Sequence, residues 1–117
     1  MSYFQIAVIP VPTAHRDQYK TVAETMAPLF MEYGALQLFE GWGSMVPPGE
    51  VTSLPMAVQL KEDETVVVSF IEWPDAEKAM ACMEAMETDP RFAEMGADMP
   101  FDGKRMIFGT FETMLKR

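Results

Sequence analysis

Cysteine and histidine are almost missing from this chain of 117 residues: each occurs once, as Cys82 and His15. A lone cysteine closes no internal disulfide, and one His with one Cys falls short of the four ligands of a structural zinc site. The expectation is a cytoplasmic protein with no metal and no other cofactor. Positive charge is scarce too. Nine Lys and Arg stand against eighteen Asp and Glu, for a net charge of -9. This balance repels nucleic acid and anionic membranes at long range, so neither is expected as a partner, and it keeps an acidic particle dispersed. No apolar run approaches the length of a membrane span. The apolar start, Tyr3 to Ile9, lacks the basic flank and small-residue cleavage site of a signal peptide, and reads as a first strand. Also absent are a Gly-rich phosphate loop after a strand and a Ser or Cys in a nucleophile elbow.

What is abundant is hydrophobic surface. Hydrophobic residues make up 49% of the chain, which excludes disorder, and the length suits one domain over residues 1–117. Thr65-Val66-Val67-Val68-Ser69-Phe70-Ile71 is the most informative stretch. In a strand, Val66, Val68 and Phe70 point one way while Val67 and Ile71 point the other, so both faces need covering. Helices can cover one face; a second copy of the chain is the expected cover for the other.

The elements follow in order. A strand over Tyr3 to Val11 ends at Pro10 and Pro12. Thr13 then caps a helix to about Tyr33, whose stripe is Tyr19, Val22, Ala23, Met26, Leu29, Phe30 and Tyr33. Pro28 either bends or breaks that helix, and Gly34 suits its C-terminal cap. A second strand spans Ala35 to Met45, with Leu36, Leu38, Glu40 and Trp42 on one face; Gly41 and Gly43 signal a bulge or close backbone approach. Pro47-Pro48-Gly49 turns the chain, and Ser53-Leu54-Pro55 opens a helical turn. The third strand is Glu64 to Trp73. Pro74 starts a second long helix with Ala76, Ala79, Met80, Met83 and Met86 on one face. Asp89-Pro90 opens a brief helix over Arg91 to Met95, and the last strand runs from Lys104 to about Met114. The order βαββαβ predicts an α+β, ferredoxin-like fold with a four-stranded antiparallel sheet and helices on one face. Burying the other face against a partner's sheet would be worth on the order of 10 kcal/mol before association costs, giving a homodimeric α+β barrel.

Several long blocks carry a family likeness: Pro47 to Ser53, Ala57-Val58, Leu60 to Val67 and Met99 to Ile107, with Val11-Pro12, Tyr19 and Gly34-Ala35. By these the chain resembles the YbaA-like family of uncharacterised bacterial proteins, domain of unknown function 1428. His15 lies outside the likeness. The resemblance implies the dimeric α+β barrel superfamily, which includes cofactor-independent quinone monooxygenases, dye-type haem peroxidases and muconolactone isomerases. It carries over no established reaction.

Four residues are candidates for a small-organic-molecule site. Glu40 alternates with Leu36, Leu38 and Trp42, so it faces an apolar interior, where a carboxylate with a raised pKa can act as a base. The competing reading is a salt bridge to Arg105 or Lys104. Arg105 alternates with Ile107, Gly109 and Phe111, and would either anchor an anionic or carbonyl oxygen or form a structural ion pair. Tyr19 and Trp42 supply aromatic lining, with Phe39, Phe70 and Phe108 as further aromatic surface. His15 reads as an exposed residue in the first turn of a helix. Twelve Met residues either fill the core, as Met26, Met80, Met83 and Met86 would, or line an adaptable pocket. Two functions follow: an enzyme or binder with a pocket between sheet and helices, resembling the cofactor-independent monooxygenases, or a non-catalytic dimer for protein interaction or ligand sequestration.

Overall fold

A computed structural model describes residues 2–96 and 99–117. Four strands, β1 (Tyr3–Pro12), β2 (Gln37–Trp42), β3 (Glu64–Trp73) and β4 (Ile107–Glu112), form one sheet in the order β2-β3-β1-β4, every neighbour antiparallel. The helices are α1 (Arg16–Glu32), the single turn α2 (Leu54–Ala57), α3 (Ala76–Thr88) and α4 (Pro90–Gly96). This is the expected ferredoxin-like arrangement, with β2 and β4 as the sheet edges.

Local chemistry accounts for most boundaries. β1 continues through both prolines because β4 stops at the Val8–Ile107 pair. Pro10 and Pro12 therefore lie where β1 has a single neighbour, and no ladder bond is lost on the open side. Thr13 does not cap α1. It belongs to a 3-10 turn, Thr13–His15, where its hydroxyl meets that of Thr65 at 2.7 Å and its N–H donates to the Asp63 carbonyl. α1 runs unbroken through Pro28, which is exposed. It ends in a Schellman motif: Ala35 N–H reaches the Phe30 carbonyl and Gly34 N–H the Met31 carbonyl, with Gly34 at φ 106°. α3 begins two residues later than expected. Asp75 is its cap, accepting from Lys78 N–H at 2.9 Å, and Pro74 stands before it. Ser53 caps α2 by accepting from Met56 N–H. β2 and β4 are each shorter than the sequence pattern suggests.

One face of the sheet carries the long helices. Ile71 and Trp73 pack with Met26, Leu29 and Phe30 of α1, Ala79, Cys82 and Ala85 of α3, and Phe92 of α4; Ile9, Val11 and Val67 pack with Tyr19. The buried seam of α3 is thus its small residues rather than its methionines, with Met80 and Met86 exposed. Small side chains let the helix approach the sheet closely, and the longer ones splay aside.

The opposite face is different. Cross-strand pairing places Phe39, Phe70 and Ile6 in one row and Gly41, Val68, Val8 and Ile107 in the next, with Phe4 beside Phe111. Phe39 and Phe70 stack at 5.0 Å. Val58 and Leu60 cover only the end around Val8 and Val66. The remainder is bare, with Phe39 48%, Phe111 54% and Ile107 43% exposed. Among the described residues no helix is long and apolar enough to cross a membrane.

Candidate functional site

Alternation along β2 sends Leu38, Glu40 and Trp42 toward α1, and the α1 stripe returns Tyr19 toward β2. The Tyr19 hydroxyl donates to Glu40 Oε1 at 2.6 Å, and the Ser69 hydroxyl of β3 donates to Oε2 at 2.7 Å. Each carboxylate oxygen retains further acceptor capacity. Burial raises the Glu40 pKa above the usual carboxylate range, and the two hydroxyls oppose that rise without cancelling it. Burial, then the Glu40 charge, pushes the Tyr19 pKa far upward, so its phenol keeps its proton. The arrangement is a carboxylate held by two neutral donors, with basicity shifted toward neutral pH.

Two half-open cavities meet at this pair. One of about 580 Å³ lies between α1 and β2, where Arg16, Lys20, Trp42 and Val67 join Tyr19 and Glu40 in its wall. The second, about 370 Å³, lies between the sheet and the helices. Met26, Met83, Met86, Met99 and Met106 line it with Phe30, Phe101 and Phe108. Tyr19, Ala23, Leu38 and Glu40 belong to both. Met26 is in the core as well and Met99 and Met106 pack against it, whereas Met83 and Met86 serve the pocket alternative. Such a flexible, polarizable lining accepts varied apolar shapes.

The structure brings Tyr19, Glu40 and Trp42 together and leaves Arg105 apart. Arg105 precedes β4 and lines neither cavity. Its guanidinium bonds Glu64 through both terminal nitrogens, at 2.8 and 2.6 Å, and Asp102 through Nε at 2.9 Å; the Gln59 carbonyl accepts a further bond. This is the ion-pair alternative, with Glu64 rather than Glu40 as partner, and the Arg105 bond holds the Glu64 pKa below the usual range. His15 is half-buried, with Nδ1 3.2 Å from the Pro100 carbonyl oxygen. Phe108 lines the second cavity, while Phe39 and Phe70 lie on the bare sheet face.

Sequence reasoning missed Ser69, Arg16 and Lys20. Ser69 had a visible signal, being the one polar residue inside the apolar run from Val66 to Ile71, on the face of Val67 and Ile71. Arg16 and Lys20 lie one turn apart on α1, on either side of Tyr19 in the sequence, and line the same cavity. Among the described residues no three His, Cys, Asp or Glu side chains gather as a metal site would require.

Known proteins resemble this chain at two levels. Residues 2–103 match the model of a family described as Protein of unknown function (DUF1428). The "Uncharacterized protein YbaA" of Escherichia coli is 48% identical over 115 residues, covering 98% of each chain, and the Shigella flexneri protein of that name matches equally. Among solved structures, a mutant of SnoaB, a cofactor-independent oxygenase from Streptomyces nogalater, superposes with a TM-score of 0.62 at 12% identity, over 98% of this chain and 95% of that one. A dimeric ferredoxin-like protein from an uncultured marine organism gives 0.56 at 13% identity, over 94% and 91% of the two chains. A protein from Agrobacterium tumefaciens gives 0.57 at 11% identity with the same coverage. At such identities the likeness is one of fold.

Proposed function

The chain belongs to the DUF1428 family, and we propose that it is a homodimer that binds a small organic molecule carrying an ionisable hydroxyl, with Glu40 as the group that takes its proton. One observation carries this reading: a half-buried carboxylate of raised pKa stands where two cavities meet, held by the Tyr19 and Ser69 hydroxyls. Apolar walls with a few convergent polar groups are the usual make-up of a small-molecule site.

Tyr19 and Trp42 would flank the bound ring. Glu40 would accept the phenolic or enolic proton, leaving an oxyanion on the ligand. In cofactor-independent oxygenation the substrate's own anion supplies the electrons to oxygen, so this chemistry needs nothing beyond a base, orientation and exclusion of water. The fold shared with SnoaB makes an oxygenase-like reaction the enzymatic form of the proposal. The bare aromatic sheet face supports the dimer, since a second copy is its natural cover, and one protein of the same fold is described as a dimeric ferredoxin-like protein.

A second reading, a ligand-sequestering dimer without catalysis, is favoured by the fact that both Glu40 oxygens already accept hydrogen bonds. Thermal-shift screening of phenols, quinols, quinones and short acids against wild type and Glu40→Gln, with oxygen uptake recorded for each hit, separates the two. Stabilisation by hydroxylated aromatics with Glu40-dependent oxygen uptake supports the enzyme. Stabilisation without uptake supports the binder, and no stabilisation by any class sinks both.

A further inference from the structure

Cations are few here, nine against eighteen acidic residues, and among the described residues three of them are held in ion pairs of the framework. Arg91 pairs with Glu32 and Asp89, Arg105 with Glu64 and Asp102, and Lys116 with Glu72. Arg16 and Lys20 stand apart from these three by their position. Both line the larger cavity, and among the described residues neither forms an ion pair within 4.0 Å. The Arg16 guanidinium lies over the Trp42 ring, 5.4 Å from its centroid, which holds a cation against an aromatic wall of the cavity. Lys20 sits one turn along α1, and both are solvent-exposed. Tyr19, between them in sequence, is turned inward to Glu40. A single stretch of helix therefore presents positive charge at the opening and a hydroxyl–carboxylate pair in the interior. Glu24, one turn beyond Lys20, also lines this cavity and confines the positive end to the Arg16 side.

From this polarity we infer that the ligand is an amphipathic organic acid: its carboxylate docks on Arg16 and Lys20 at the rim, and its apolar ring system passes Trp42 toward Glu40 and the methionine-lined cavity. The inference rests on the small-molecule reading above and adds a charge requirement to it. An anion at a half-exposed rim gains charge-assisted hydrogen bonds that salt will screen. A neutral ring of the same shape gains none of them.

The test is equilibrium binding, by ligand fluorescence, of a hydroxynaphthoic acid with carboxylate and hydroxyl at opposite ends, compared with β-naphthol, which has no carboxylate. Wild type is expected to bind the acid about tenfold more tightly, with the preference shrinking as salt rises. The Arg16→Ala/Lys20→Ala double variant should bind both compounds alike, with an intact fold read from its thermal midpoint. Equal affinities in wild type, or a double variant that retains its preference for the acid, would overturn the charge requirement while leaving the cavity as a binding site. Loss of both ligands in the double variant would overturn it as well, by making the two cations structural. If wild type binds neither compound, the small-molecule reading itself falls, and this inference with it.

Discussion

Tyr19 and Glu40 are joined by a 2.6 Å hydrogen bond that ties the start of α1 to the middle of edge strand β2, at the place where two cavities touch. Donor and acceptor are both largely withdrawn from water, and burial moves both pKa values upward. The proton stays on Tyr19, and the carboxylate remains the basic member of the pair.

Glu40 makes stability fall with pH. Between the ordinary carboxylate range and its raised folded value, Glu40 holds a proton in the folded chain that the unfolded chain has lost. Folding is therefore progressively penalised as pH rises through that window. Glu40→Gln removes the penalty but leaves one of the two hydroxyls without its acceptor, a pH-independent cost of about 1 kcal/mol. Urea denaturation at a series of pH values should show the variant gaining on wild type from acid to neutral pH. A constant difference would contradict the raised pKa. Glu64 behaves oppositely: its folded pKa is lowered, so its contribution is present above the unfolded value and lost on acidification.

Cys82 should be chemically silent. It is 1% exposed, and burial pushes its thiol pKa up to about 11. At pH 8 the thiolate fraction is then on the order of one in a thousand, and the sulfur is out of reach as well. Native protein is expected to react with a thiol-specific disulfide reagent only at the rate of unfolding, and denatured protein within minutes. Rapid stoichiometric reaction of the native chain would refute this.

Replacing Pro28 by Ala should stabilise the fold. Pro28 is exposed in the interior of α1, where it denies the Glu24 carbonyl a helical bond. Restoring the N–H gains up to about 3 kcal/mol, and the freer unfolded chain takes back about 1 kcal/mol. A midpoint increase in urea at unchanged slope is the expected result. No change, or a loss, would show that the proline costs α1 nothing in its native packing.

The bare sheet face should hold two chains together. Phe111→Glu and Phe39→Glu place charge where apolar rings are exposed, and neither side chain packs in the helix-side core. Sedimentation at micromolar concentration should give a dimer for wild type and a folded single chain for either variant. A wild-type monomer would remove the assembly from the proposal.

Much of this was legible in the sequence, and the misses have physical causes. The two-faced β3 could be read from Val66 to Ile71, because a period-two pattern survives any environment that buries both faces. For Arg105 the ion-pair alternative holds, but its partner was not legible. Its alternation with Ile107 and Phe111 is real, but β4 begins only at Ile107, and Glu64 captures the guanidinium with a bidentate pair that no local pattern reveals. On α3 the methionines suggested the core stripe, yet the sheet selected Ala79, Cys82 and Ala85, since close approach depends on small side chains more than on hydrophobicity. Glu40 was found by alternation alone. Its partners were not, because a hydrogen bond between residues 29 apart, such as Ser69 to Glu40, leaves no periodic trace.

Ser69 and Phe70 are consecutive residues, yet one lines the cavity under the helices and the other lies on the bare sheet face proposed to meet a second chain. Only the thickness of a single polypeptide backbone separates the two compartments. In the proposed dimer, a guest that displaces Ser69 would tilt the ring beside it, so that occupancy of the cavity and the fit of two subunits would be coupled.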